Sequence, residues 1–163
     1  MSRDYEEFIA ALNDRGVRYL VIGAHAVALH ARPRATKDLD ILLDPAPANA
    51  RRALAALRDF FGGSHLGLTV GDLTDPRWII QLGVAPTRID LLCGVPGCPS
   101  FDAAWKHRVE SRFVPVKARY LGLEDLIRVK EAAGRAQDWA DVQFLRRAKA
   151  RPQRSRRRPG PRG

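Results

Sequence analysis

Apolar residues recur along this chain in two periods, one helical and one strand-like, and the alternation between them lays out the fold. From Asp4 to Asn13, Tyr5, Phe8, Ile9 and Leu12 fall at helical spacing, so the segment predicts an amphipathic helix with Asp4 and Glu7 as a capping box and Gly16 ending it. Arg18 to Ile22 is a short apolar run rich in Val, Ile and Tyr, as expected of a buried strand that closes at Gly23. Ala24 to His30 predicts a short Ala-rich helix stopped by Pro33, and Lys37 to Leu43 predicts a second strand. In Ala46 to Phe61, Ala50, Leu54, Leu57, Phe60 and Phe61 share one side and Arg51, Arg52, Arg58 and Asp59 the other, which makes a helix terminated by Gly62 and Gly63.

Further strands are predicted at Leu66 to Val70, Trp78 to Leu82 and Arg88 to Leu92, and a turn or two of helix at Phe101 to Arg108. Short extended pieces follow at Phe113 to Val116 and Ala118 to Leu121, then helices at Leu123 to Ala133 and Gln137 to Ala148. No internal repeat is present. This order of helices and strands predicts one α+β domain over residues 1–148, its helical C-terminal part starting near 123.

Composition changes the picture at one end only. The 163 residues carry 28 Lys and Arg against 18 Asp and Glu, a net charge of +10. Nine of the basic residues, and no acidic one, lie between Arg146 and Gly163; without them the counts are 19 and 18, so the body is close to neutral. The basic balance therefore belongs to the end of the chain from Arg146 on, where a tail is expected over 149–163, and the last thirteen residues, RPQRSRRRPGPRG, lack apolar side chains and are expected to be disordered. No long apolar run exists and the acidic start MSRDYEEF does not read as a signal peptide, so a cytoplasmic protein without a membrane segment is expected. Cys93 and Cys98 have no second Cys or His pair at a matching spacing and read as two reduced thiols near a loop.

The chemistry concentrates in YLVIGAHAVALHARPRATKDLDILLD. On a strand, residues two apart share a face, so Asp38 and Asp40 project together, about 6 to 7 Å apart at the backbone. Like charges held that close call for a cation, and hard oxygen donors suit magnesium. Asp90, in the apolar strand TRIDLLC, is a third carboxylate that would be costly inside a sheet without a partner. The three together read as a two-metal site, with solvated Asp-x-Asp and an Asp90–Arg88 pair as the structural alternatives. Gly23, at a strand-to-helix turn, permits close backbone approach, and the free amides of the following helix favour phosphate. His25 and His30, four apart, read as one helix face lacking a third metal ligand, and Trp78, Trp105 and Trp139 as packing residues.

Gly23-Ala24, Arg34-Ala35-Thr36-Lys37-Asp38-Leu39-Asp40 and Arg88-Ile89-Asp90 together resemble the minimal nucleotidyltransferases of the DNA polymerase β superfamily. The segment LEDLIRVKEAAGRAQDWADVQFL is similar to the helical end of the abortive-infection type nucleotidyltransferase toxins, with Lys130, Arg135, Asp138 and Asp141 at the matching positions. The resemblance spans residues 15 to 148. It implies a small mixed sheet flanked by helices and an enzyme that moves a nucleoside monophosphate from a nucleoside triphosphate, ATP among them, to an acceptor hydroxyl. By the resemblance Asp38, Asp40 and Asp90 hold two Mg²⁺ ions, Asp90 also helps to deprotonate the acceptor, and Gly23, Ala24, Arg34, Thr36 and Lys130 contact the nucleotide.

Asp138 and Asp141 have a second reading as an N-terminal cap of the last helix, and Thr36 as a brace before the strand. The family's usual Gly-Ser or Gly-Gly at the turn is Gly23-Ala24 here, a loss of one hydroxyl donor worth about 1.5 to 3 kcal/mol of nucleotide binding. The acceptor, whether RNA, protein or small molecule, is left open. So small a chain leaves part of the acceptor site to a partner protein or a second copy, and a toxin–antitoxin setting is an expectation. The competing reading is an inactive nucleotidyltransferase-like domain that binds RNA or a protein partner through the Arg-rich tail.

Overall fold

A computed structural model describes residues 2–113 and 115–151. The chain runs through α1 (Arg3–Asp14), β1 (Tyr19–Ile22), α2 (Gly23–His30), β2 (Asp38–Leu43), α3 (Pro47–Phe60), β3 (Ile79–Leu82) and β4 (Arg88–Leu92). It continues through α4 (Phe101–Lys106), β5 (Val109–Phe113), β6 (Val116–Tyr120), α5 (Leu123–Ala133) and α6 (Ala136–Ala150). The strands form one mixed sheet in the order β3-β4-β2-β1-β6-β5, with parallel β2–β4 and β1–β6 pairs and antiparallel neighbours elsewhere. The expected α+β class, a mixed sheet flanked by helices with helices at the C-terminal end, is what the molecule has.

Register separates the two faces of the sheet. Cross-strand partners share a face, so the pairs Val21 with Ile41, Tyr19 with Leu43, Leu39 with Ile89 and Ile41 with Leu91 form one continuous apolar surface, all of it buried. Helices α1 and α3 pack on each other, with the Phe8 and Phe60 rings edge to face at 5.2 Å, and α2 lies on β1 and β2. The opposite face carries Asp38 beside Arg88 and Asp40 beside both Ile22 and Asp90. Two residues further on, the same face turns apolar at Leu42, opposite Leu20 and Leu92.

Tyr5 fixes the start of the two central strands. From α1 its hydroxyl lies 2.9, 3.2 and 3.1 Å from the carbonyls of Lys37, Pro86 and Arg88, the residues at or just before the beginnings of β2 and β4. Burial, with the Asp38, Asp40 and Asp90 charges adding to it, pushes this phenol up to about 12, so it stays a donor.

Several expectations are corrected. Leu66 to Val70 is not a strand: Leu66 is exposed at φ 59°, and a Thr69–Asp72 turn, with Asp72 accepting from the Thr69 N–H and hydroxyl, takes the backbone groups a strand would need. Phe113 to Val116 is the turn of a β5–β6 hairpin, with Phe113 paired to Val116; Val114 lies outside the described residues. The first helix is capped by Ser2, whose hydroxyl accepts from Asp4 N–H, and Glu7 instead pairs with Arg3 at 2.8 Å. Trp78 and Trp139 are exposed; only Trp105 packs, stacked on Phe101. Helix α6 runs to Ala150, and the remainder of the expected tail, 152–163, lies outside the described residues.

Replacing Tyr5 with Phe is expected to lower the unfolding free energy by about 1 kcal/mol, the net worth of one hydrogen bond. In urea unfolding the midpoint should fall at unchanged slope, equally at neutral and mildly alkaline pH.

Candidate active site

The three carboxylates predicted to act together stand on one face of two neighbouring strands. Asp40 of β2 is the direct partner of Asp90 of β4, and Asp38 that of Arg88. Arg88 sits among them: its Nη2 donates to Asp38 at 3.0 Å and to Asp90 at 3.3 Å, and its Nε lies 3.1 Å from Asp90 Oδ1 without hydrogen-bond alignment. The Asp90–Arg88 pair weighed from sequence therefore exists, on a central strand and shared with Asp38.

Asp90 is buried, and its Oδ1 has no hydrogen-bond partner. Burial raises its pKa, while Arg88 pulls it back. Asp40 is pushed up to about 6, first by burial and then by the charges of Asp90 and Asp38, against the opposing pull of Lys130 and Arg88. Among the described residues no three His, Cys, Asp or Glu side chains are gathered tightly enough to share one ion. The donors are nonetheless hard oxygens of the kind that suits magnesium, one of them buried and unpartnered, under mutual repulsion. The Arg88 guanidinium occupies the space between Asp38 and Asp90.

Gly23 is indispensable to this geometry. It opens α2 at φ 67°, and a Cβ there would come 2.2 Å from Asp40 Oδ2. The turn thus brings the uncapped start of α2 directly against the metal-type carboxylate. Ala24 follows and, as the sequence indicates, offers no hydroxyl.

Together these residues line a cleft of about 320 Å³ with Lys130, Arg34 and Arg135 on its helical side and Ile79, Leu92 and Val95 at its apolar side. Its size lies within the range of small-ligand sites. A larger cavity, about 570 Å³, lies past Leu42 among Pro45, Pro76, Pro96 and Cys93; no charged side chain lines it, whereas the smaller one gathers carboxylates and cations.

Lys130 is 6% exposed, and its Nζ lies 3.1 Å from both Asp138 Oδ1 and Asp141 Oδ2. Arg34, in the loop before β2, reaches Asp141 at 3.2 Å, and Arg135 donates to Asp138 at 2.7 Å. This network ties α5, α6 and the Arg34 loop together behind the cleft. Asp138 also accepts the Arg135 backbone N–H, so its capping reading holds; Asp141 caps nothing and serves Lys130, Arg34 and Gln137. Thr36 braces the turn, its hydroxyl donating to Asp38 O and accepting from Asp38 N–H.

His25 and His30 do not form a metal pair: the His25 ring packs between Tyr5 and Phe113, and His30 Nε2 lies 2.7 Å from Leu121 O. Cys93 and Cys98 are free thiols. Sequence reasoning paired Arg88 with Asp90 at a sheet edge but missed its bond to Asp38, which depends on β2 pairing with β4. It also missed Tyr5, because nothing local joins residue 5 to residues 37 and 88.

Residues 3–146 match the family DUF6036, described as a nucleotidyltransferase of unknown function, and the chain belongs to that family. No curated protein matches the chain.

Gly23→Ala should disrupt the Asp40 contact and strain the left-handed turn, destabilising the fold by more than about 1 kcal/mol in chemical denaturation. Arg88→Gln removes the cation between Asp38 and Asp90. In chelator its melting temperature is expected to fall below wild type, and Mg²⁺ should restore more of it than it adds to wild type, as read by calorimetric melting.

Proposed function

We propose that the chain is a magnesium-dependent nucleotidyltransferase that moves a nucleoside monophosphate from a nucleoside triphosphate to an acceptor hydroxyl. The observation that carries this reading is the placement of Asp38, Asp40 and Asp90 on one sheet face, with Gly23 against Asp40 and a cationic wall across the same cleft. Asp38, Asp40 and Asp90 would hold the metal. Bound there, magnesium supplies charge neutralisation and alignment for in-line substitution at phosphorus.

The chain's own groups divide the remaining work. Backbone amides at the start of α2 bind phosphate oxygens, and Gly23 lets them approach because no side chain intervenes. Lys130 provides a fixed positive charge toward the triphosphate, and Asp138 and Asp141 act as positioning residues that hold its amine. Asp90 Oδ1, buried and without a hydrogen-bond partner, is the oxygen placed to take the acceptor hydroxyl proton. A new oxygen–phosphorus bond forms to the acceptor as the bond to pyrophosphate breaks.

The similarity of Lys130, Arg135, Asp138 and Asp141 to the pattern of abortive-infection type toxins extends the proposal to a toxin–antitoxin setting in the cytoplasm. Among the described residues no helix is long and apolar enough to cross a membrane. The second reading, an inactive relative that only binds RNA or protein, is favoured by Arg88 filling the carboxylate site and by the missing hydroxyl at Ala24.

Incubation with Mg²⁺, each radiolabelled nucleoside triphosphate, total RNA and lysate protein decides between them. Label transferred by wild type and reduced at least about a hundredfold in Asp40→Asn is the expected result. No transfer, together with no metal-dependent nucleotide binding in calorimetry, would overturn the enzyme reading.

A further inference from the structure

We propose that the β5–β6 hairpin is a docking surface for the phosphate backbone of single-stranded RNA, carrying the strand toward the carboxylate cleft. Arg112 and Lys117 are direct cross-strand partners, both exposed. Like charges placed opposite one another destabilise a hairpin, and neither side chain has an ion-pair partner among the described residues. The acid on this surface, Glu110, is already engaged by Arg108 at 3.3 Å and Arg119 at 3.9 Å. The two free cations therefore await an external anion.

The backbone beneath them is held rigidly. The Tyr120 hydroxyl donates to Arg112 O at 3.3 Å and Asn13 Nδ2 donates to Lys117 O at 2.7 Å. Arg112, Lys117 and Arg119 line a groove of about 230 Å³ on the outermost strand pair of the sheet.

Register relates this surface to the cleft. Asp40 shares its face with Ile22, while Val21 shares the opposite face with Tyr120. Alternation along β6 then returns Arg119 and Lys117, with their partners Glu110 and Arg112, to the face of the carboxylates. Asp40 lies two strand spacings from Lys117 and three from Arg112, and about four residues further along the strands, so the two cations stand roughly 16 to 20 Å from it, a distance a few nucleotides span. A strand bearing a phosphate at every residue and a hydroxyl at its end satisfies both the unpaired cations and the acceptor the cleft calls for. The nine basic residues from Arg146 onward add to the attraction without fixing a place. The inference rests on the transfer reading only for what the bound strand is for.

The test is fluorescence anisotropy of a short fluorescein-labelled single-stranded RNA with the full chain across a potassium chloride series. Wild type is compared with Arg112→Gln Lys117→Gln and with Arg147→Gln Lys149→Gln, folding being checked by circular dichroism and nucleotide binding by calorimetry. The hairpin variant should bind RNA roughly tenfold more weakly, with a log–log salt slope smaller by about 1.4 for two lost phosphate contacts, and should bind nucleotide like wild type. RNA binding absent from wild type, unchanged in the hairpin variant or lost only in the α6 variant overturns the proposal. So does poly-glutamate binding as tightly as RNA through the same two residues, which would assign the surface to an acidic protein. RNA binding through the hairpin by a chain that takes no nucleotide would leave this surface standing and overturn the transfer reading alone.

Discussion

Three carboxylates on one face of two adjacent strands repel one another, and the rest of the site is arranged around that repulsion. Asp40 is pushed up to about 6 because burial and both neighbours oppose its charge. A sheet does not retain such a cluster unless positive charge compensates it. Two kinds of compensation are present. Arg88 makes direct contacts to Asp38 and Asp90 from the same face, and Lys130 acts on Asp40 from the helical wall. The two are held differently. A buried lysine held by two aspartates is fixed in place, whereas Arg88 is about one third exposed and anchored to the residues a metal would claim.

The second charge network makes this possible. Lys130, Arg34 and Arg135 face Asp138 and Asp141, so the cluster behind the cleft keeps a net positive charge while every member has an opposite partner within 3.2 Å. It also does mechanical work, because its members come from α5, α6, the link between them and the loop entering β2. Buried ion pairs of this kind contribute less to stability than to fixing one arrangement over others. Here the arrangement fixed is the distance of a cation from the carboxylates across the cleft.

Much of this is visible in the sequence, and what is not has a physical reason. Period-two spacing makes Asp38 and Asp40 neighbours without any knowledge of the fold. Their meeting with Asp90 depends on β2 pairing with β4, a long-range choice that no local pattern encodes. Gly23 reads as a turn residue from sequence, but the reason only glycine fits is Asp40, 17 positions on. Leu66 to Val70 has the composition of a strand, and loses to the Thr69–Asp72 turn chemistry that satisfies its backbone locally. The exposure of Trp78 and Trp139 is equally unreadable, since aromatic residues signal packing only when something covers them. Asp138 and Asp141 share one sequence pattern yet divide between capping and charge-holding, a distinction made by where Lys130 arrives from α5.

Arg88 gives the site a way to fold before it is loaded. Without it, the polypeptide would bring three carboxylates together with no direct cation among them, and folding would wait on metal. With it, Asp38 and Asp90 each have a cation in contact, and Asp40 is left to the longer-range pull of Lys130 and Arg88. Asp90 Oδ1 meanwhile stays unsatisfied even with Arg88 in place, because the guanidinium lies near it but out of alignment. A counter-cation that satisfies two aspartates imperfectly stabilises the empty fold and still leaves a buried oxygen whose demand only a better-placed partner meets. Under the proposed transfer reading, that imbalance favours replacement of Arg88 by a divalent ion over its retention.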